Sequence, residues 1–424
     1  MNSYFAACEQ QANPFLRGKP LGVCAYLHNN GCVIAASIEA KRFGMKVGMT
    51  VWEAREAVPH AVFVQNDPAK YRSITGRIFE ILHEISDVVE HYSIDEAFLD
   101  VTDICRNEAE AAFLLSRAKR RIQTEIGNWL TASVGIAPTR FLAKFGSDFE
   151  KPDGLVIINH ENMDQYLARS ELEDLCGINK GMRRRFERLG IRTPLELKTY
   201  PAGNLVRVFG KAGYFWWCHL HGIPCEPTIP ETPLPKSIGH SYCVPQNVNE
   251  YGLVEAVLTK LIERAAMRLR ARALFSKLMY IMVGFREGGY DSRYFRFERD
   301  EQNSFLFLRT ASHLLHDMWR GESVRFLAVT FTDLTIESKQ LAFQIDRHAE
   351  AVCLLRPNRW GSEQEHSVSV SMDKIRGRYG DRSIVFGRMF DLRDTDHAPD
   401  RVGYRKTVST QQITHRDPLS YEKI

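Results

Sequence analysis

Apolar residues recur at two spacings in the first 157 residues, and each spacing predicts a different element. Between residues 69 and 86 they lie three and four positions apart, which predicts an amphipathic helix. The same spacing predicts a second helix over residues 108–126. Two apolar runs, Val88–Tyr92 and Ala97–Val101, flank the turn Ser93–Glu96 and predict a β-hairpin. This region is therefore expected to be mixed α/β.

The next part of the chain is predicted to be helical. The segment LTASVGIA still predicts a strand, and residues 138–149 predict a helix with Pro138 near its first turn. Residues 158–225 then show short amphipathic helices around a glycine-bearing turn, within LEDLCGINKGMRRRFERLGIRTPLELKTY. Four prolines between residues 227 and 236 predict a stiff, extended linker.

After the linker the apolar pattern starts again. The order β-α-β-β-α-β predicts a ferredoxin-like layer of sheet and helices. The predicted elements are a strand at 238–244, a helix at 250–272, a hairpin of 277–285 and 290–297, a helix at 303–320 and a strand at 324–334. Beyond about residue 345 the tail has one organised piece, SVSVSMDKIRGRYG, and its last thirty residues are expected to be loosely ordered.

Composition narrows the class of protein. A chain of 424 residues with 44% hydrophobic and 25% charged residues predicts two to four soluble globular domains. No apolar run reaches the ~18 residues of a membrane span, and no signal peptide is recognised. The nine cysteines are scattered, which favours reduced thiols in the cytoplasm. A net charge of +4 permits nucleic-acid binding without arguing for it.

Asp95 and Glu96 are adjacent carboxylates in the predicted hairpin turn. Hard divalent cations such as Mg²⁺ take oxygen ligands of this kind, together with substrate phosphates. A pair of such ions can hold the attacking and leaving oxygens of a phosphoryl transfer. The alternative is that both are solvated turn residues, and on these two residues alone that alternative is favoured.

Six segments, in order over about residues 1–345, resemble Y-family (DinB/UmuC-type) translesion DNA polymerases. They are MNSYFAACEQ (opening turn and helix), IEAKRFGMKVGM (fingers), SIDEAFLD (acidic motif), SVGIAPTRFLAKFGSDFEKPDG (end of the palm), GINKGMRRRFERLGIRTPLEL (thumb helix-hairpin-helix) and KSIGHS (start of the little finger). The resemblance implies an α+β, multidomain, right-hand polymerase. Its parts are a palm at 1–11 and 69–157, fingers at 12–68, a helix-hairpin-helix thumb at 158–226, a linker at 227–236, a ferredoxin-like little finger at 237–345 and a partly disordered C-terminal extension at 346–424.

The resemblance also implies an activity. Asp95 and Glu96 match catalytic ligands of two Mg²⁺ ions, which serve the addition of deoxynucleoside triphosphates to the primer of a primer-template DNA, at low fidelity. The alternative is a non-catalytic accessory that binds DNA and the sliding clamp. The retained Asp95, Glu96, Phe5 and Lys151 favour the enzyme. A helix-hairpin-helix nuclease would not explain Phe5 or the fingers segment.

The family pattern places a further catalytic Asp directly before the residue that matches Met1, whose backbone carbonyl assists one metal. The sequence as given begins at Met1, and Asn2 is a neutral amide that does not replace the Asp. Three interpretations are open: a start codon assigned too late, a gene fragment, or a non-catalytic relative. The first is favoured, because Met occurs naturally after that Asp.

Five residues match nucleotide-binding positions of the family. Phe5 matches the aromatic gate that excludes a 2′-hydroxyl, and Tyr4 is expected to be its more buried neighbour. Lys151 and Lys41 are expected to bind the triphosphate, and Ser37 is expected to add a hydroxyl donor. The alternatives are core packing for Phe5 and solvated surface charge for the two lysines. Many family members carry Arg where this chain has Lys41. The Lys ammonium is a single point charge, whereas the planar Arg guanidinium can bind two phosphate oxygens at once.

Two further sets of residues are expected to bind macromolecules. The thumb turn is expected to bind a DNA phosphate through backbone N–H groups and nearby charge. Its members are Gly177, Asn179, Lys180, Arg183 and Arg184. Asn179 stands where the family has Gly and is expected to tolerate left-handed geometry. A weak match to a clamp-binding peptide consists of Gln340, Leu341 and Phe343. The alternatives are a solvated helix face and packing at a domain edge.

Overall fold

The computed structural model describes residues 1–225, 234–336, 362–380 and 383–392. Its contacts divide these residues into two compact units, one up to residue 225 and one from residue 234. The division falls within the predicted linker, most of which lies outside the described residues. The predicted clamp-binding residues Gln340, Leu341 and Phe343 also lie outside them.

The first unit begins with a helix and a small three-stranded sheet. Strand β1 lies in the middle, antiparallel to β2 and parallel to β3. Helices α2 and α3 pack on this sheet through a core that includes Met45 and Val51, both buried. The elements are α1 Tyr4–Ala12, β1 Leu21–Cys24, β2 Val33–Ala36, α2 Ile38–Arg42, α3 Val51–Ala57 and β3 Val62–Gln65. The sheet and its two helices lie within the segment predicted to form the fingers.

The next elements confirm the first predicted helices and the hairpin, with changed ends. The elements are α4 Pro68–His83, β4 Val89–His91, β5 Ala97–Leu99 and α5 Glu108–Arg121. Asp67 caps α4 by accepting a hydrogen bond from the Lys70 N–H, and a proline follows at the first helical position. Helix α5 is shorter than predicted, because residues 122–126 form a wider π-helical turn.

The strand predicted from LTASVGIA is shorter than expected. The elements that follow α5 are β6 Val134–Ile136, α6 Arg140–Gly146 and β7 Leu155–Ile157. The Thr131 carbonyl accepts a hydrogen bond from the Asn2 N–H at 2.9 Å, so the residues before β6 pair with the start of the chain. Thr139 caps α6, which places Pro138 before the helix and not in its first turn. Strand β7, parallel to β6, was not predicted.

The rest of the first unit is helical, as predicted. The helices are α7 Met163–Ala168, α8 Lys180–Glu187, α9 Pro194–Thr199, α10 Ala202–Phe209 and α11 Lys211–Leu220. Their shared core includes Phe186, Leu197, Leu205 and Trp216, all buried. Phe186 packs edge-on against Trp216 at 5.2 Å between ring centroids. This aromatic core fixes α8 and the turn before it.

The second unit confirms the predicted order β-α-β-β-α-β. The elements are β8 Ser237–Val248, α12 Tyr251–Ala271, β9 Leu274–Phe285, β10 Tyr290–Glu301, α13 Ser304–Met318 and β11 Val324–Ile336. The sheet order is β10-β9-β11-β8, and every neighbouring pair is antiparallel. Strand β11 therefore separates the parallel strands β8 and β9, which makes a split βαβ unit. All four strands are longer than predicted.

A helix from the C-terminal extension packs on this second unit. It is α14, Ser362–Tyr379, and it contains the organised piece of the tail. Ion pairs join it to the other helices: Arg309 to Glu365 at 2.7 Å, Arg270 to Asp373 at 2.6 Å and Arg376 to Glu263 at 2.6 Å. Across the described residues, no helix has the length and apolarity needed to span a membrane.

Glu301, at the end of β10, predicts a pH-dependent change in stability. Burial raises the pKa of its carboxyl to about 7; the charge of Arg299 opposes this rise, and the charges of Asp300 and Glu365 add to it. The folded state therefore disfavours the ionised form, and wild-type stability falls as pH rises from about 4.5 to 7. We expect Glu301→Gln to raise the free energy of unfolding by about 1–3 kcal/mol at pH 8 and to give no gain near pH 4.5.

Urea unfolding at the two pH values checks this expectation. Glu298→Gln, on an exposed position of the same strand, is the matched control and should change stability equally at both pH values. An equal effect of Glu301→Gln at pH 4.5 and pH 8 would contradict the assignment.

Candidate active site

The turn between β4 and β5 brings two carboxylates to one hydroxyl group. The Tyr92 and Ser93 N–H groups both donate to the Glu96 carbonyl, at 3.1 and 3.0 Å, which closes the turn. The Ser93 hydroxyl lies 3.1 Å from Asp95 Oδ1 and 3.1 Å from Glu96 Oε2. Because one hydroxyl proton serves both acceptors, it ties the two side chains together and draws their oxygens to one point.

Lys144, on α6, supplies the opposing charge. Its Nζ lies 2.6 Å from Glu96 Oε1 and 3.5 Å from Asp148. Burial alone would raise the pKa of the Glu96 carboxyl, but the hydrogen bond and charge of Lys144 hold it below its ordinary value. Burial likewise lowers the pKa of Lys144, and Glu96 more than reverses this. Sequence reasoning missed Lys144, although its i, i+4 spacing from Asp148 was a weak signal of an ion pair.

Met1 lies beside Asp95, as the family pattern implied. The Met1 main-chain nitrogen donates to the Asp95 carbonyl at 2.8 Å. The Asn2 side chain is directed elsewhere, because its Oδ1 accepts from the Thr131 hydroxyl and from the Asp153 N–H, at 3.1 and 3.0 Å. The first two residues therefore lie between the hairpin and β6, and the role of the Met1 carbonyl stays a prediction.

The two predicted phosphate-binding lysines share this electrostatic neighbourhood. Burial lowers the pKa of Lys41, the charge of Lys151 lowers it further, and the charge of Asp95 opposes both. Lys151 itself forms an ion pair with Asp148. A cavity of about 190 Å³ is lined by both carboxylates of the turn and by Lys144 and Lys151. An anionic ligand here would meet two lysines beside two carboxylates.

Phe5 is half-buried against a second aromatic ring. It stacks on Tyr71 with 4.5 Å between ring centroids and 12° between ring planes. The Tyr71 hydroxyl donates to Glu9 Oε1 at 2.8 Å, and Lys70 binds the other oxygen of Glu9 at 2.8 Å. The orientation of Phe5 is thus fixed by a ring that is itself hydrogen-bonded.

Tyr4 and Ser37 have structural partners that compete with their predicted substrate roles. Tyr4 is 4% exposed, and its hydroxyl donates to the Tyr71 carbonyl at 2.8 Å, so it is more buried than Phe5. Ser37 is fully buried, and its hydroxyl accepts from the Leu21 and Ala40 N–H groups at 3.1 and 3.2 Å. Ser37 therefore caps α2, and the structure does not place its hydroxyl where a nucleotide could reach it.

The thumb turn differs from expectation at one residue. Gly177 has φ +86°, a left-handed conformation that favours glycine. Asn179 has φ −94° and an extended backbone, and its side chain accepts from the Met182 N–H at 2.9 Å. Asn179 is therefore the N-cap of α8 and does not use the left-handed geometry that Asn tolerates. Gly177, Asn179 and Lys180 are all exposed.

The arginines after this turn are not equivalent. Arg183 lies within 3.4 Å of Glu171, 3.2 Å of Glu173 and 3.0 Å of Glu187, so acidic side chains already surround it. Arg184 is exposed. The sequence run of basic residues did not reveal that acids upstream would fold onto Arg183.

The donor set at the turn suits a hard cation that keeps an open coordination shell. Within the residues that the structure describes, no group of three or more His, Cys, Asp and Glu side chains could hold a metal ion. Asp95 and Glu96 contribute carboxylate oxygens, and Mg²⁺ commonly takes one or two carboxylates with water and substrate phosphate. The residues present therefore fit Mg²⁺ bound together with a phosphorylated ligand better than a closed protein cage.

Comparison with known proteins gives a consistent result. Residues 1–148 match the model of the impB/mucB/samB family, and residues 235–346 match its C-terminal domain. DNA polymerase IV of Moorella thermoacetica is 33% identical over 89% of this chain and 96% of its own length. DNA polymerase IV 1 of Bacillus subtilis is 30% identical over 91% of each chain.

Solved structures agree with these relatives. A Y-family DNA polymerase chimera, Dbh-Dpo4(243-245)-Dbh, has a TM-score of 0.70 and 27% identity. The insertion ternary complex of Dbh DNA polymerase has a TM-score of 0.52 and 25% identity. Each match covers 79% of this chain and 98% of the other chain.

We expect Lys144→Met to raise the pKa of the Glu96 carboxyl. Burial then acts without the lysine that outweighs it. A carbon-detected NMR titration of the Glu96 side chain measures this directly. Lys119→Met, which removes a different ion pair with Asp153, is the matched control and should leave Glu96 unchanged. The same low pKa in Lys144→Met and wild type would show that Lys144 does not set it.

Proposed function

Since the chain belongs to the impB/mucB/samB family and is a DNA-directed DNA polymerase of the Y-family, translesion type, we propose that it extends a primer by phosphoryl transfer at the Asp95–Glu96 turn. The observation that carries this proposal is the cavity that both carboxylates share with Lys144 and Lys151, with Lys41 near enough for the charges of Lys151 and Asp95 to act on it. A nucleoside triphosphate needs cationic groups for its phosphates, and its divalent cation needs carboxylates beside them.

Different side chains bind the phosphates and the sugar of the nucleotide. Lys41 and Lys151 bind the β- and γ-phosphates, and Lys151 exchanges its ion pair with Asp148 for the triphosphate. Phe5 presents its ring to the sugar, backed by the stacked ring of Tyr71, and leaves no room for a 2′-hydroxyl. Lys144 keeps Glu96 charged without occupying its second oxygen.

Asp95 and Glu96 would hold the divalent cations, with the Met1 carbonyl and substrate phosphate as further ligands. When bound, two Mg²⁺ ions neutralise charge on the phosphoryl oxygens and favour ionisation of the primer 3′-hydroxyl. In the transfer, the primer 3′-hydroxyl loses its proton to solvent, its oxygen bonds to the α-phosphorus, and the bond from the α-phosphorus to pyrophosphate breaks. The closed turn and the shared Ser93 hydroxyl hold the two carboxylates in fixed positions relative to each other.

The DNA is held by contacts that ignore its sequence. The exposed turn of Gly177, Asn179 and Lys180 lies at the N-terminus of α8, where unpaired N–H groups favour a phosphate. Arg184 adds an exposed positive charge, whereas Arg183 would first have to leave its acidic partners. Binding of this kind is expected to weaken as salt concentration rises.

Low fidelity and clamp binding complete the proposal. Low fidelity is proposed because a small fingers domain would discriminate poorly, by shape, against mispaired nucleotides. The sliding clamp is proposed as a partner of Gln340, Leu341 and Phe343 on sequence grounds alone. Loss of clamp-stimulated synthesis in Leu341→Ala, with basal synthesis retained, is the outcome that supports it.

Asp95→Asn and Glu96→Gln are each expected to reduce primer extension roughly 10²-fold or more, because each removes a charge that faces the reacting phosphates. Single-turnover extension at moderate Mg²⁺ measures the rate, and a filter assay should show that DNA affinity is retained. Asp100→Asn, in the same strand-to-loop region, is the matched control. Near wild-type extension by either site variant would exclude the proposed site.

Phe5→Ala is expected to admit ribonucleotides, because it removes the ring that faces the sugar. The measurement is the ratio of ribonucleotide to deoxynucleotide insertion, which should rise at least about 10-fold, the effect of ~1.4 kcal/mol of lost discrimination. Tyr4→Phe deletes only a buried hydroxyl and should leave the ratio unchanged. An unchanged ratio in Phe5→Ala would refute the gate.

A further inference from the structure

Two histidines behind the catalytic hairpin face each other at a distance suited to a metal. His83 is the last residue of α4, and His91 is the last residue of β4. Their Nε2 atoms are 3.2 Å apart. His91 is held in place by Phe79, on which it stacks with 3.7 Å between ring centroids and 15° between ring planes. His83 is exposed, so solvent reaches the pair.

We propose that His83 and His91 bind one borderline divalent transition-metal ion, of the Zn²⁺ or Ni²⁺ class, through both Nε2 atoms. With metal–nitrogen bonds of about 2.0–2.1 Å, a separation of 3.2 Å corresponds to a nitrogen–metal–nitrogen angle of about 100–106°. That angle is close to tetrahedral. The ring centroids are 5.5 Å apart, so the two rings point at each other, and each has to turn to direct its lone pair at the ion. Water completes the shell, since the site is open.

The surroundings favour a cation at this place. From Ile78 to Cys105 the chain has eight Asp and Glu residues and no Lys or Arg, and Arg121 and Arg140 pair with two of these acids, Glu84 and Glu90. The ion would also lie at the C-terminal end of the 16-residue helix α4, where the helix dipole attracts positive charge. The alternative is a single hydrogen bond between two neutral imidazoles, which the same distance permits.

The class of ion follows from the donor atoms. Imidazole nitrogen suits zinc, nickel and copper, whereas Mg²⁺ prefers oxygen. This site is therefore chemically distinct from the Asp95–Glu96 turn, although strand β4 leads into that turn. A bound ion would join α4 to β4 and stabilise the hairpin that carries the carboxylates.

Nickel is the better probe, because the chain has nine cysteines and thiolates compete strongly for zinc. Equilibrium dialysis with Ni²⁺ at pH 7.5, with Mg²⁺ present in excess, counts the ions bound. Wild type is expected to bind one equivalent that His83→Gln and His91→Gln each lose. His60→Gln is the matched control, since His60 is an exposed histidine that also packs on a phenylalanine, Phe43.

Thermal melting gives a second readout. Saturating Ni²⁺ should raise the wild-type Tm by about 3–8 °C relative to EDTA, and this rise should vanish in His83→Gln. His83→Gln alters only an exposed side chain, so it carries the test even where His91→Gln disturbs the contact with Phe79. The proposal is overturned when wild type and His83→Gln bind the same number of ions, or when His60→Gln loses the equivalent instead.

Discussion

The burial of the Glu96 carboxylate beside Asp95 is the constraint on which the arrangement around the turn depends. Two neighbouring carboxylates on a half-buried turn favour proton uptake unless positive charge and hydrogen bonds oppose it. Lys144 supplies that charge at 2.6 Å, and the Ser93 hydroxyl supplies a shared hydrogen bond. Helix α6 must therefore lie beside the hairpin, and the backbone nitrogen of Met1 fixes the turn from the other side. The pKa of Glu96 therefore stays below its ordinary value, which favours the carboxylate form that a cation binds.

Helix α4 is the second support, because its side chains pack on Phe5, the predicted sugar gate, and on His91 of the hairpin. Its Tyr71 stacks on the ring of Phe5, and its Phe79 stacks on the ring of His91. A single helix thus orients the predicted sugar gate at one end and the paired histidines at the other. A shift of α4 would therefore disturb both the predicted sugar gate and the paired histidines.

The regular pattern of the sequence predicted most of the framework and only part of the site. The helix at 69–86 and the β-α-β-β-α-β order were predictable, because long amphipathic periods reflect burial on one face. Strand β7 is three residues long and pairs in parallel with β6, so no hairpin turn in the sequence marks it, as Ser93–Glu96 marks the equally short β4 and β5. Lys144, Ser37 and Asn179 depend on tertiary or capping partners, and spacing along the chain does not specify which partner a side chain will meet.

The central claim is that Asp95 and Glu96 bind a divalent cation jointly with the nucleotide held by Lys41 and Lys151. Electron paramagnetic resonance of Mn²⁺, used in place of Mg²⁺, measures the free ion directly. With primer-template DNA present, adding a deoxynucleoside triphosphate whose reaction is blocked by a dideoxy primer should lower the free Mn²⁺ signal beyond the effect of nucleotide alone. The account predicts that Asp95→Asn abolishes this additional decrease; an equal decrease in the variant would contradict it.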